Sequence, residues 1–297
     1  MKQYFKRHIG DRYDGWRVRK VDAVFSIIPF IMRTRLDSQN FFEETVPIEH
    51  LEMFIRKHKD EMPELSLMHI VMAATIRLIA LRPYLNRFVV WNKIFARNHI
   101  NMSLIIKRKL SNVETMIKPE FEPEDTLYDV VRRVSEEVNK NVADDAVNSS
   151  DKTCNALLKL PAFVMRFVVK LLYGLDNIGL LPKKLFNVSP WHCSAFITNV
   201  GSLGIGPIYH HLYEFGTCSL FIAMGNKQRT TTVNAEGKPI TRRSIGLKFV
   251  TDERICDGQY YAASMKMMRK LLEKPELLLE PPAQVVVDDG VTNKRLI

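Results

Sequence analysis

From Leu65 to Leu81 the chain reads as a helix with apolar residues on nearly every side: Leu67, Ile70, Val71, Ala73, Ala74, Ile76, Leu78 and Ile79. A helix that is hydrophobic all round must be buried all round, so the rest of the chain has to wrap it. Arg82-Pro83 ends the run, and its His69 and Arg77 are expected as satisfied polar groups at the rim. With 297 residues, 46% hydrophobic and 26% charged, the chain can enclose such a helix in one large domain.

The flanking segments supply both helices and strands. Phe41 to Val46 reads as a strand, Ile48 to Lys59 as a surface helix, and Phe88–Trp91 with Lys93–Arg97 as a hairpin about Asn92. Met102–Lys107 and Val113–Ile117 follow as strands. Asp125 is expected to cap a helix to Val142, with Leu127, Val130, Val131, Val134 and Val138 on one face. The polar run from Asn139 to Asp151 reads as a loop. Later strands are expected at Cys193–Thr198, Cys218–Met224, Thr230–Val233 and Arg243–Thr251. Asp257 then caps a helix carrying Tyr261, Met265, Met268 and Leu272, stopped by Lys274-Pro275. Asp22 to Arg35 is apolar but interrupted by Pro29 and gives no regular pattern. The expected organisation is a basic arm over 1–20, one domain over 21–280 and a loose tail over 281–297.

Within residues 151–188, an expected insertion, Pro161 to Tyr173 is a short helix whose few charges are placed together. Lys159, Arg166 and Lys170 fall within about 40° of one another at 100° per residue. The remaining side chains, Phe163 and Phe167 among them, are apolar, and the segment is too short to span a bilayer. Two readings stand: a face buried against protein, or a helix lying in a membrane interface.

The net charge is +10, and half of that excess falls in residues 1–20. A basic balance suits an anionic partner. No helix-turn-helix, zinc-finger or RNP pattern accompanies it, so nucleic acid is not expected. The four cysteines, Cys154, Cys193, Cys218 and Cys256, are far apart and none is paired at metal-ligand spacing; no metal is expected. No apolar run follows the start, and a cytoplasmic protein, peripheral to a membrane at most, is expected. Gly201-Ser202-Leu203-Gly204-Ile205-Gly206 lacks the dinucleotide glycine order. Cys256 reads as a buried structural thiol more readily than as a nucleophile.

Two blocks carry a family likeness. Ala195-Phe196-Ile197-Thr198-Asn199-Val200-Gly201, preceded by Pro190-Trp191, resembles the strand-and-turn "FTISNLG" of dihydrolipoamide acyltransferase catalytic cores, with a Pro-Trp as in chloramphenicol acetyltransferases. Asp252-Glu253-Arg254-Ile255-Cys256-Asp257-Gly258 stands where that superfamily has "DHRVIDG". Arg82-Pro83-Tyr84-Leu85-Asn86 and the ending Leu271 to Leu279 add weaker matches. The resemblance implies an α/β, chloramphenicol-acetyltransferase-like two-layer fold, a mixed β-sheet with packed helices, assembled as a homotrimer. It also implies sites at subunit interfaces that take CoA or acyl-CoA as an acyl-thioester donor.

Carried over by position, Thr198 is the oxyanion donor, and Asp257 is a structural carboxylate paired with an N-terminal arginine, Arg17 or Arg19. The family's catalytic histidine is replaced by Glu253. Three readings follow: Glu253 is the base, His210 or His211 has taken over, or the fold serves as a silent binding module. A glutamate near 4.3 is a weak base for a thiol near 8.5 unless desolvated. CoA phosphates suit Lys227, Arg229, Arg242 and Arg243 on the expected hairpin. The lipoyl and subunit-binding domains that precede the family's core have no counterpart, which implies a free-standing acyltransferase-like protein. A lipid-like acceptor at a membrane surface is the further alternative.

Overall fold

The computed structural model describes residues 7–107, 114–141 and 158–291. Its strands are β1 (Gly15–Arg17), β2 (Gln39–Pro47), β3 (Arg87–Val90), β4 (Lys93–Arg97), β5 (Ile100–Lys107), β6 (Glu114–Ile117), β7 (Glu120–Phe121), β8 (Ala195–Asn199), β9 (Leu220–Val233) and β10 (Pro239–Asp252). The helices are α1 (Ala23–Ile31), α2 (Glu49–Lys57), α3 (Leu67–Leu81), α4 (Leu127–Asn141), α5 (Ala162–Asn177), α6 (Lys183–Val188) and α7 (Gly258–Glu273).

A seven-stranded sheet runs β2-β10-β9-β8-β5-β6, with β7 also beside β5. It is mixed: β8 is parallel to β9 and to β5, and the other pairings are antiparallel. Alternation sorts its side chains into two faces. Ile197, Ile222, Leu247 and Phe249 join α2, α3, α4 and α7 in the main core. Phe196, Phe221 and Val250 point the other way and pack with Cys193, Cys218 and Leu212. The all-round apolar helix is buried as expected, with Ile70 through Ala80 inside. Both rim groups have hydrogen-bond partners. Ser66 Oγ lies 3.0 Å from His69 Nδ1, and Arg77 donates to the carbonyls of Leu277 and Glu280. Burial holds the His69 imidazole down at about 4.

Several expectations are corrected. The stretch expected as an arm is folded from Arg12 on: β1 pairs with β4, and Trp16 and Val18 pack with Val89, Ile94 and Val291. Charge hid this, because Arg12 and Asp14 are themselves buried as a pair 2.8 Å apart. The tail is also fastened as far as Val291. Asp288 bonds Arg87 at 2.6 and 2.7 Å, and Val286 N–H donates to Ala80 O. Asp22 to Arg35, read as irregular, contains α1 with Pro29 inside it. α4 is capped by Thr126, which exchanges hydrogen bonds with Asp129, while Asp125 bonds Glu122 N–H. The expected loop is helical up to Asn141, and its residues 142–151 lie outside the described ones, as do 151–157 of the expected insertion. α5 passes through Gly174 to Asn177. Cys218–Met224 and Thr230–Val233 are one strand, β9.

A buried polar network fixes α5 to the body. Asp176 accepts from Arg12 at 2.7 Å and from His192 Nε2 at 3.1 Å, while Ser189 Oγ lies 2.7 Å from His192 Nδ1. Burial alone would raise the Asp176 carboxyl, but the His192 hydrogen bond and the Arg12 charge hold it at about 2. A carboxyl held below its unfolded value of about 3.9 stabilises fully above that value, and its contribution fades as pH falls towards 2. Denaturation curves should therefore lose about 2 kcal/mol between pH 4 and pH 2. Asp176→Asn should flatten that part of the profile, and an unchanged slope in the variant would assign the loss elsewhere.

Candidate functional site

Thr198 is the fourth residue of β8, fixed by β8's neighbours: it stands opposite Ala223 of β9, and Ile197 beside it stands opposite Leu104 of β5. Alternation puts it on the Phe196 side of the sheet, away from α2, α3, α4 and α7, where it is half-buried. β8 then enters a 3-10 turn, Val200–Leu203. Gly201 is a close-packing glycine: a Cβ there would run into the Gly225 carbonyl of β9. The glycine run therefore shapes the turn after Thr198.

Glu253 opens a 3-10 turn at the end of β10, and its neighbours clamp it. Asp252 is fully buried, receiving Arg254 through two 2.8 Å bonds, Ser38 Oγ at 3.0 Å and the Arg254 N–H at 3.1 Å. The Glu253 N–H donates to Ser38 O at 2.7 Å. Its side chain is half-exposed, with no hydrogen bond or ion pair among the described residues. The backbone is rigid and the carboxylate is free.

Thr198 and Glu253 do not meet within one chain. Thr198 stands level with Ala223, which stands level with Lys248, and Glu253 lies five residues further along β10. At about 3.3 Å per residue and about 4.8 Å per strand, the two Cα atoms are roughly 19 Å apart.

Asp257 occupies the cap position as expected, accepting Tyr260 N–H at 2.7 Å, but it is exposed and pairs with no arginine among the described residues. Of the expected partners, the Arg19 guanidinium lies 3.6 Å from the Asp11 carboxylate, which also accepts the backbone N–H of Arg17. At this turn the buried Asp–Arg pair is Asp252 with Arg254. Sequence reasoning overlooked it because the motif match assigned the paired carboxylate to Asp257. Cys256 is buried, and burial pushes its thiol up to about 12, which leaves no thiolate for nucleophilic attack near neutrality.

His210 and His211 lie in an extended segment crossing the sheet face that carries Thr198, and they diverge. His210 stacks on Phe221 at 4.4 Å, and its buried Nε2 has no partner among the described residues. Burial, then His211, lowers its pKa, so the ring is neutral at pH 7. Phe221 stands level with Phe196, which puts the strand position beneath His210 roughly 8 Å from Thr198. His211 is exposed beside Tyr213.

The basic hairpin is less free than its sequence suggested. Lys227 bonds Glu52 at 2.8 Å and Arg243 pairs with the same carboxylate. Arg229 and Arg242 are exposed, with no ion-pair partner among the described residues. Between α2 and the turn after Thr198 lies a cleft of about 560 Å³, lined by Arg56, Asn199, Ser202, Asn226, Lys227 and Arg243 among others. Three cations against Glu52 make it an anion-accepting cleft. Among the described residues, no group of three or more potential ligands could hold a metal ion.

No protein-family model matches the chain, and no curated protein does. Solved structures resemble it over most of its length. A probable dihydrolipoamide acetyltransferase from Listeria monocytogenes 4b F2365 is 14% identical, with a TM-score of 0.54 over 90% of this chain and 96% of that one. The cubic core of the pyruvate dehydrogenase multienzyme complex is 11% identical, with a TM-score of 0.56 over 88% and 94%. Azotobacter vinelandii dihydrolipoamide acetyltransferase is 12% identical, with a TM-score of 0.55 over 92% and 94%. At these identities the likeness is one of fold, and the chain adopts the fold of the dihydrolipoamide acyltransferase catalytic core.

Proposed function

We propose that this chain is an acyltransferase that moves an acyl group between a CoA-type thioester and a thiol or hydroxyl acceptor, at a site built by two subunits of a homotrimer. The observation that carries the reading is the separation of Thr198 and Glu253. Both sit at rigid, half-exposed positions, and both occupy the places that serve acyl transfer in the resembling motifs. At roughly 19 Å they serve one reaction only if a neighbouring copy supplies one of them.

In this reading Glu253 takes the acceptor's proton as its sulfur or oxygen attacks the thioester carbonyl. The Thr198 hydroxyl donates to the oxyanion. Collapse breaks the carbon–sulfur bond, and the leaving CoA thiolate recovers the proton from Glu253. Arg229 and Arg242 are the cations available for phosphates, with Lys227 and Arg243 contributing at the rim of the cleft.

Glu253→Gln is expected to lower acetyl-CoA turnover by about 10²–10⁴-fold. Turnover at the wild-type level in this variant would exclude Glu253 as the base and direct attention to His210. One observation favours a second reading, a silent CoA-binding module: the Glu253 carboxylate has no bonding partner to tune it among the described residues. That reading predicts CoA binding by calorimetry with no turnover by the wild-type protein.

A further inference from the structure

The outward face of α5 has no part in the acyl-transfer reading. At 100° per residue, Phe163, Arg166, Phe167, Lys170 and Leu171 fall within an arc of about 140°. All five are exposed, Phe163 by 75% and Phe167 by 67%. The helix is held from beneath, through Asp176 to Arg12 and His192 and through Tyr173 against Phe215 at 5.1 Å. Its aromatic face is therefore turned outward by a fixed anchor. The flanks continue the pattern, with Leu158 exposed by 70% and Leu180 by 65%.

Charge identifies the partner. Residues 158–190 carry Lys159, Arg166, Lys170, Lys183 and Lys184, all exposed and without an ion-pair partner among the described residues. Their one acidic residue, Asp176, is buried and already engaged. No helix among the described residues is long and apolar enough to cross a membrane.

We propose that α5 seats this protein on an anionic lipid bilayer. Phe163 and Phe167 enter the boundary between headgroups and acyl chains, and Lys159, Arg166 and Lys170 reach lipid phosphates. Basic side chains beside buried apolar ones extend along their stems to such phosphates. A second copy of this face fits worse, because two-fold pairing sets cations against cations. The proposal does not depend on catalysis.

The test is flotation of the full chain with vesicles of phosphatidylcholine, alone or with phosphatidylserine added. Binding is expected only to the anionic vesicles and should weaken as salt rises. Phe163→Asp with Phe167→Asp should abolish it. Arg166→Gln with Lys170→Gln should weaken it by on the order of 25-fold, about fivefold per charge. These four side chains are exposed, so circular dichroism and sedimentation mass should match wild type. Failure of the wild-type protein to float with anionic vesicles would overturn the proposal. So would variants that lower the assembled mass while leaving vesicle binding intact, since the face would then be a subunit contact.

Discussion

Acetyl-CoA turnover is expected to fall by about 10²–10³-fold when Thr198 is replaced by alanine, the usual loss when one oxyanion donor is removed. The strand geometry makes this a clean experiment. Thr198 is held by pairing with Ala223 and flanked by Ile197, which is buried in the main core, so removing the hydroxyl leaves β8 in place. The effect should fall on kcat with little change in KM, because a donor aimed at the developing oxyanion acts mainly in the transition state. Thr198→Ser keeps the hydroxyl and should restore most of the rate. Equal turnover by the alanine and serine variants would show that the hydroxyl takes no part.

The largest effect on stability is expected from Arg254→Ala, about 3–5 kcal/mol, read as a lower urea midpoint. Asp252 is fully buried, and the Arg254 side chain supplies two of its bonds and its only ion pair among the described residues. Removing the guanidinium leaves a carboxylate without its counter-charge in the interior. It also frees Met32 O, which Arg254 holds at the end of α1. Asp257→Ala is the informative contrast. The family likeness assigned the structural ion pair to Asp257, but the residue is exposed and caps α7 through one bond to Tyr260 N–H. Its loss should cost about 1 kcal/mol, the usual worth of a cap. If the two variants exchanged rank, the buried role would return to Asp257.

These two carboxylates show what was legible in the chain. Local pattern located the strand, the cap and α7, because a cap and a period of 3.6 are written within a few neighbouring residues. The Asn92 turn was readable too, and its left-handed φ of 59° fits that residue type. The motif blocks placed Thr198 and Glu253 at the ends of their strands. Unreadable were contacts between residues far apart in sequence. Arg12 finds Asp176, Arg87 finds Asp288, and Lys227 with Arg243 finds Glu52. Each cation looks solvent-seeking in its own neighbourhood, which is why β1 passed for an arm and the hairpin for a wholly free basic patch. Pro29 defeats periodicity for a different reason: α1 runs through it where propensity disfavours a helix.

In the proposed site, Thr198 comes from one subunit and Glu253 from another. Mixing tests it most directly. Thr198→Ala chains and Glu253→Gln chains, each inactive alone, are unfolded together and refolded at equal concentrations. In a cyclic trimer that assorts at random, roughly a quarter of the interfaces join an intact Thr198 to an intact Glu253. Acetyl-CoA turnover is expected near that fraction of wild type. Mixed trimers of wild-type mass with no turnover above that of the separate variants would contradict it.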